Sequence, residues 1–472
     1  MARIDLSDDP TTPLLQSTKV GDAAAPGEII ETQRTTEADL SLQSSLDRWN
    51  DPPINVWRIL ASFFSFIVVG ASDGTYGALV HYLGEYYKLD YSNLSLVFLS
   101  PCIGYAAAAL FNNSIHARFG RRGVAVLGSG FHLIGFGIST QHPSYSVLIF
   151  LFIFSGLGNG LLDAAWNAWI GAMADSNKLM GILHGFYGLG AALAPVTATS
   201  LIDKHGWQWY EYYYLMAAGA MIETITLATV FWSAQGHSVK MNDRTTGENG
   251  NDDNDHCPRS WWETLGNSPP IQSLGFASTW IICLFIFIYA GVEISVGGWV
   301  LTLLVDNRGI SPYRAGVANT LYWTGLTLGR VLLGFVTTYL QSDGLVVTTY
   351  LVASITSLTV FWLIGNFTVS IIALSLLGFF LGPLCPEAII ALAHILPKQL
   401  HVAGIGIAVA LGSAGGCVFP FLTGTLAKIA GIQVLQPFVL AMLSLCLFIW
   451  ALFIVLSRHG RIESPPRRSP DI

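Results

Sequence analysis

Twelve apolar stretches divide this chain into two sets of six, and each is about 20 residues long, the length an α-helix needs to cross the hydrocarbon core of a bilayer. The first six begin near Val56, Leu94, Val124, Val147, Met180 and Tyr212, and the second six near Trp280, Ala315, Val346, Val369, Val402 and Leu435. Between the sets runs a polar stretch from Ser233 to Ala277 that contains GENGNDDNDH. Backbone polar groups inside a bilayer must be satisfied within the protein, so spans of this kind fold as helices.

Composition agrees. Charged residues make up 11% of the chain, where a soluble domain carries about 25%, and the mean hydropathy is +0.53. Met1 to Asp51 is polar and acidic and has no apolar core of a secretory signal. Of the six cysteines all but Cys257 fall in apolar segments, which favours packed thiols over a disulfide framework. No metal-ligand spacing appears among them, and no nucleophile motif or nucleotide loop points to an enzyme. The expected organisation is a disordered cytosolic tail over 1–55, a helical bundle over 56–232, a cytosolic linker over 233–277, a second bundle over 278–457 and a cytosolic tail over 458–472.

The two halves repeat. At a nearly constant offset Asp73 aligns with Glu293, Gly77 with Gly297, Gly156 with Gly378, Gly160 with Gly382, Gly190 with Gly415 and Pro195 with Pro420. This pattern points to duplication of a six-helix unit. Lys and Arg concentrate in the tails, the central loop and the even-numbered loops, which places both termini in the cytosol.

Ionisable residues inside apolar spans mark functional sites by default, because a charge at the bilayer centre costs roughly 2.5–3.5 kcal/mol. Asp163 lies in GLGNGLLDAAWNAW, and Asn159 and Asn167, four residues to either side, stack with it on one helix face. Asp73 sits among Gly70, Gly74 and Gly77, a small-residue face suited to close helix packing. Each carboxylate reads either as a hydrogen-bonded packing element or as a proton carrier. His184 reads as a satisfied core residue or as a proton relay. In the second half Glu293 is the repeat partner of Asp73. Trp299, with Trp166, Trp169 and Trp323, is either an interfacial anchor or a platform for the apolar face of a sugar. Arg330 needs a carboxylate or carbonyl partner, with Glu387 and Glu223 in the possible set, and a structural or gating ion pair is its preferred role over substrate contact. Pro383 and Pro386 loosen the helix before Glu387.

The segment NSIHARFGRR, with Arg118, Gly120, Arg121 and Arg122, resembles the GxxxDRxGRR loop of the major facilitator superfamily, with Asn113 and Ala117 replacing its Gly and Asp. Asp73 in the first helix, Asp163 followed by Asn167 in the fourth and His184 before the Gly-rich run of the fifth resemble the fucose permease branch of proton-coupled sugar symporters and its fungal relatives. The resemblance implies an all-α membrane protein of twelve helices in two pseudo-symmetric six-helix bundles. It further implies proton-coupled uptake of a neutral polar solute, a monosaccharide first, by alternating access. Asp73, Asn159, Asp163, Asn167, His184, Glu293 and Trp299 are then the substrate and proton residues, and Arg118, Arg121, Arg122, Arg330 and Glu387 the gating residues. The expected partners are a small molecule, a proton and the bilayer, with no cofactor, metal or nucleic acid, in a monomer of the plasma membrane more than of the vacuole or endosome. A proton antiporter exporting drugs or metabolites and a non-transporting nutrient sensor are the alternatives.

Overall fold

The computed structural model describes residues 47–233, 269–340 and 343–458. Most of the expected tails and linker lie outside these residues. The first half comprises α1 (Ile54–Tyr87), a helical hairpin over Leu96–Ser139, α4 (Tyr145–Gly171), α5 (Ser176–His205) and α6 (Tyr212–Phe231). The second comprises α7 (Ala277–Thr302), α8 (Pro312–Leu340), α9 (Asp343–Leu363), α10 in two pieces (Phe367–Leu381 and Leu384–Ile395), α11 (His401–Ala430) and α12 (Leu435–Arg458). The hairpin arms are α2 (96–119) and α3 (121–139), joined at Gly120, whose φ of 66° suits a residue without a Cβ. Their packing on α4 proves the reversal. Gly104 meets Ile153 and Leu157, and Gly160 meets Ala108, so α2 runs parallel to α4. Gly128 meets Leu162 while Gly135 meets Ser155, so α3 runs antiparallel.

Twelve traversals result among the described residues, as the hydropathy pattern predicts, and the chain is a multi-pass integral membrane protein. Local chemistry ends the helices where the sequence allows. Gly206 closes α5 in a left-handed cap, its N–H reaching Leu201 and Ile202 carbonyls. The Asn366 side chain accepts the Thr368 and Val369 N–H groups at the start of α10. At Gly382 and Pro383 α10 breaks, as its prolines predict.

The loops 88–95, 140–144, 206–211, 303–311, 364–366 and 431–434 gather on one face, the far side, opposite the beginning of α1 and the end of α12. Tyr145 donates to the Asn93 carbonyl at 2.5 Å, Tyr87 to that of Pro143, and Arg308 to Ser370 at 2.7 Å and the Phe361 carbonyl. The two halves close on each other at this far side. Tyr91 donates to Asp306 at 2.9 Å, His81 meets Asp306 at 3.0 Å, and Lys428 meets Asp90 at 3.0 Å. The Asn93 N–H, together with Lys428, holds the Asp90 carboxyl below its ordinary range. The Asp90–Lys428 contact is therefore present at neutral pH and is lost as pH falls through that lowered value.

Nearer the membrane centre the seam is made of backbone and small side chains. Thr320 donates to the Ala192 carbonyl at 2.8 Å and accepts from the Val196 N–H at 3.1 Å, tying α8 to α5. Where α1 crosses α7, the repeat partners Gly77 and Gly297 face each other, and a Cβ on Gly77 would fall 2.3 Å from the Gly297 carbonyl oxygen. Because backbone cannot swing aside as a side chain can, Gly77→Ala is expected to destabilise the far-side-closed state by about 1–3 kcal/mol. Gly130→Ala, with nothing within 4 Å of its new Cβ, is the control. Equal thermal unfolding midpoints for the two variants in detergent would show that this crossing is not tight.

Candidate functional site

Asp73 stands halfway along α1, where the backbones of α1 and α5 touch. A Cβ on Gly70 would fall 2.0 Å from the Tyr187 carbonyl oxygen, and one on Gly190 2.1 Å from that of Ile67. This approach brings the Tyr187 hydroxyl to the Asp73 Oδ2, to which it donates at 2.9 Å. Tyr105, carried by α2, donates to the same oxygen at 3.2 Å, and Asn159 Nδ2 on α4 donates to Oδ1 at 2.9 Å. Three helices thus supply three donors to one carboxylate. Donors directed at an anion stabilise it more strongly than neutral pairs stabilise each other.

Behind Asn159 runs a fully buried chain. His132 Nε2 meets Asn159 Oδ1 at 2.8 Å, and His132 Nδ1 meets Glu223 Oε2 at 2.9 Å. Ser65 donates to Glu223 Oε1 at 2.6 Å and accepts from Trp166 Nε1 at 3.3 Å. The indole can only donate, which points the Ser65 proton at Glu223. Asn159 presents its NH₂ to Asp73, so its oxygen faces His132 and requires a proton on Nε2. One proton then sits between Nδ1 and Glu223, and wherever it rests the pair has zero net charge. Neutrality makes complete burial of both groups tolerable, whereas removing one partner would leave the other buried without its hydrogen bond.

Asp163 is half-buried on the next turn of α4. Asn167 Nδ2 donates to its Oδ1 at 2.9 Å and to its backbone carbonyl at 2.9 Å, while the buried Asn167 Oδ1 has no partner among the described residues. The polar stripe of the sequence therefore divides: Asn159 reaches across to α1, and Asn167 serves Asp163 within its own helix. Asp73 and Asp163 are within electrostatic reach of each other.

From the second half, Arg330 Nη2 on α8 grips Glu293 on α7, at 2.7 Å from Oε1 and 2.8 Å from Oε2. Tyr322 donates to the Glu293 carbonyl at 3.0 Å. This corrects the expected partners of Arg330: Glu223 is bound to His132, and Arg330 takes the repeat counterpart of Asp73. Arg330 Nε is buried without a hydrogen-bond partner among the described residues. The His184 side chain is only partly covered, packed edge-on against Phe66 with ring centroids 5.8 Å apart and within electrostatic reach of Arg330 from the second half.

Trp299 stands elsewhere. It is fully buried in the far-side seam, donating to the Pro420 carbonyl at 2.9 Å and packing on Phe98 and Tyr91. Trp166 and Trp169 are likewise buried, against Phe231, and Trp323 lies buried against Gly297. None of the four presents an open stacking face. Glu387 is buried on the second piece of α10. At the hairpin tip Arg122 lies 3.2 Å from the Trp232 ring centroid and Arg121 5.8 Å from that of Trp169, while Arg118 is exposed. A cavity of about 770 Å³ there is lined by Arg118, Gly120, Arg122 and Trp232 and includes neither Asp73 nor Asp163. Its size therefore says nothing about the carboxylates.

Sequence reasoning passed over Tyr105, Tyr187, His132 and Ser65 and gave Glu223 the wrong partner. His132 and Glu223 carried the same signal as Asp163, an ionisable group in an apolar span. The cysteine expectation also fails at one pair: Cys102 on α2 and Cys417 on α11 form a disulfide. Cys283 and Cys446 are buried free thiols, as expected, and Cys385 is a half-buried one. Glu223→Ala, which leaves the buried His132 Nδ1 and the Ser65 hydroxyl without their shared partner, is expected to cost about 1–3 kcal/mol. Reversible denaturation in mixed micelles would read this loss, and a loss below about 1 kcal/mol would disprove the buried-pair assignment.

Comparison with known proteins follows the same lines. A profile of the Major Facilitator Superfamily matches residues 62–365. Bypass of stop codon protein 6 of Saccharomyces cerevisiae is 31% identical over 85% of this chain and 83% of its own length. The glucose/mannose transporter GlcP of Bacillus subtilis is 22% identical over 77% of this chain and 86% of its own. Among solved structures, the nucleoside transporter NupG superposes with a TM-score of 0.65 at 12% identity, covering 85% of this chain and 99% of its own. A bacterial homologue of the human lysosomal transporter Spinster, inward-facing and unoccupied, gives 0.65 at 13% identity over 88% of this chain and 99% of its own.

Proposed function

The chain belongs to the major facilitator superfamily of membrane transporters, and from that premise we propose that it couples proton movement to uptake of a small neutral polar solute, a monosaccharide first. The observation that carries this reading is the Asp73 carboxylate held by Tyr105, Tyr187 and Asn159, with Asp163 nearby and the Glu293–Arg330 pair in the other half. A sugar hydroxyl both donates and accepts, and tyrosine hydroxyls, amides and carboxylates answer both needs. A relative named as a glucose/mannose transporter supports a hexose.

The proton and the substrate are linked through hydrogen-bond capacity. With Asp73 ionised, both tyrosine hydroxyls are committed to its Oδ2. Protonation turns one carboxylate oxygen into a donor and releases a tyrosine hydroxyl to a ligand. It also removes a charge that would oppose closure of a dewatered cavity, so the occluded state gains relative population. Glu293 and Arg330 neutralise each other and leave the second half with little net charge to resist that closure. Arg118, Arg121, Arg122 and Glu387 belong to gating in this reading, and Trp299 to the far-side gate rather than to substrate stacking. Cytosolic termini, supported by the Lys and Arg distribution, make the far side extracellular in a monomer of the plasma membrane.

Uptake of labelled hexoses into proteoliposomes under an imposed pH gradient tests the scheme. Wild type is expected to concentrate its sugar with an inward proton gradient, and Asp73→Asn and Asp163→Asn to lose gradient-driven uptake at least tenfold. Retention of the wild-type rate and pH dependence by both variants would remove the carboxylates from coupling. Uptake driven only by the reversed gradient would assign proton antiport.

A further inference from the structure

Cys102 and Cys417 belong to different halves, 315 residues apart in sequence, with Cα atoms 6.1 Å apart, inside the span of roughly 4.4–6.8 Å that a disulfide requires. Their place in the seam gives the pair a mechanical meaning. At the far end of the α2–α11 contact a Cβ on Gly424 would fall 2.4 Å from the Ser95 Cβ and 2.7 Å from the Tyr91 carbonyl oxygen. Moving down α2 from Ser95 to Cys102 and down α11 from Gly424 to Cys417 covers the same number of residues. The helices therefore pack antiparallel in one register, and the cysteines meet about 10 Å further toward the membrane centre. Between the two contact points Trp299 fills the seam, its indole bonded to Pro420 and its ring packed on Phe98.

We infer that Cys102 and Cys417 are a redox-sensitive latch that, once oxidised, holds the transporter closed to the far side. This rests on the alternating-access reading above, since opening a path from the far side to Asp73 requires α2 and α11 to separate. A covalent bond at this level forbids that separation, whereas Tyr91–Asp306 and Lys428–Asp90 are polar contacts that water can replace. Both cysteines are half-buried rather than sealed, and opening of the far side would expose them to a small reagent.

The oxidant is a small-molecule disulfide such as oxidised glutathione. The thiolate of one cysteine attacks a glutathione sulfur, breaking its S–S bond and releasing one reduced glutathione. The second thiolate then attacks the protein sulfur of the mixed disulfide and expels another. Two cysteine thiols are oxidised, one glutathione disulfide is reduced to two thiols, and the two protons pass to the departing thiolates. An excess of reduced thiol reverses the sequence.

The full-length protein, reconstituted and treated with oxidised glutathione and then with dithiothreitol, tests the latch by three readouts. Non-reducing peptide mass spectrometry is expected to find the Cys102–Cys417 linkage. Amide hydrogen exchange in residues 88–95 and 424–431 should be at least tenfold slower in the oxidised protein. Hexose uptake should fall at least tenfold on oxidation and recover on reduction, while Cys102→Ser and, independently, Cys417→Ala respond to neither reagent. Absence of the linked peptide overturns the inference, as does a linked protein with unchanged exchange at the seam. Should exchange follow the redox state while neither form transports a hexose, the latch stands and the substrate reading falls.

Discussion

A carboxylate inside a membrane protein must be matched where it stands, because the surrounding medium gives almost nothing back for the hydration it has lost. That requirement organises this molecule. Asp73 draws Tyr105, Tyr187 and Asn159 from three helices, and Asn159 can serve it only because His132 and Glu223 occupy the other side of the amide. The first half is thereby bound together from α1 to α6 by one continuous polar chain. The second half meets the same requirement more simply, with Arg330 laid against Glu293. The two halves meet one electrostatic requirement in different ways.

This asymmetry has mechanical consequences. A salt bridge within the second half neutralises the Glu293 carboxylate, whereas the first half holds a carboxylate satisfied by neutral donors. The seam between the halves is of another character. It is built from glycine against glycine at Gly77 and Gly297 and from threonine hydroxyls on backbone carbonyls, with thin polar clasps above. Close backbone packing, with Trp299 wedged against Phe98 at the far side, gives such a surface a definite closed position. The Cys102–Cys417 pair is the covalent element in this otherwise separable boundary.

The boundary between legible and illegible features follows particular residues. The span count, the helix break at Pro383 and the polar stripe on α4 all come from spacing along one helix, which sequence reports directly. The alignment of Gly77 with Gly297 and of Asp73 with Glu293 also came from the repeat, and the first of these pairs is in contact across the seam. What failed was pairing. Arg330 had Glu387 and Glu223 as its expected partners, His132 went unnoticed, and the cysteines were read one by one. Each of these depends on how a helix is rotated about its axis and at what height it meets a distant neighbour.

Amino-acid order alone thus determined that the chain crosses the membrane twelve times in two related sets of six, and which spans carry ionisable groups, since both follow from local hydrophobicity and residue spacing. Tertiary structure decided which charge meets which, that Trp299 plugs a seam instead of lining an open face, and that two cysteines from opposite halves lie side by side. The physical reason is range. Transfer of a segment into lipid is a sum over its own residues, whereas hydrogen bonds, ion pairs and disulfides act over a few ångströms between groups whose separation along the chain bears no relation to their separation in space.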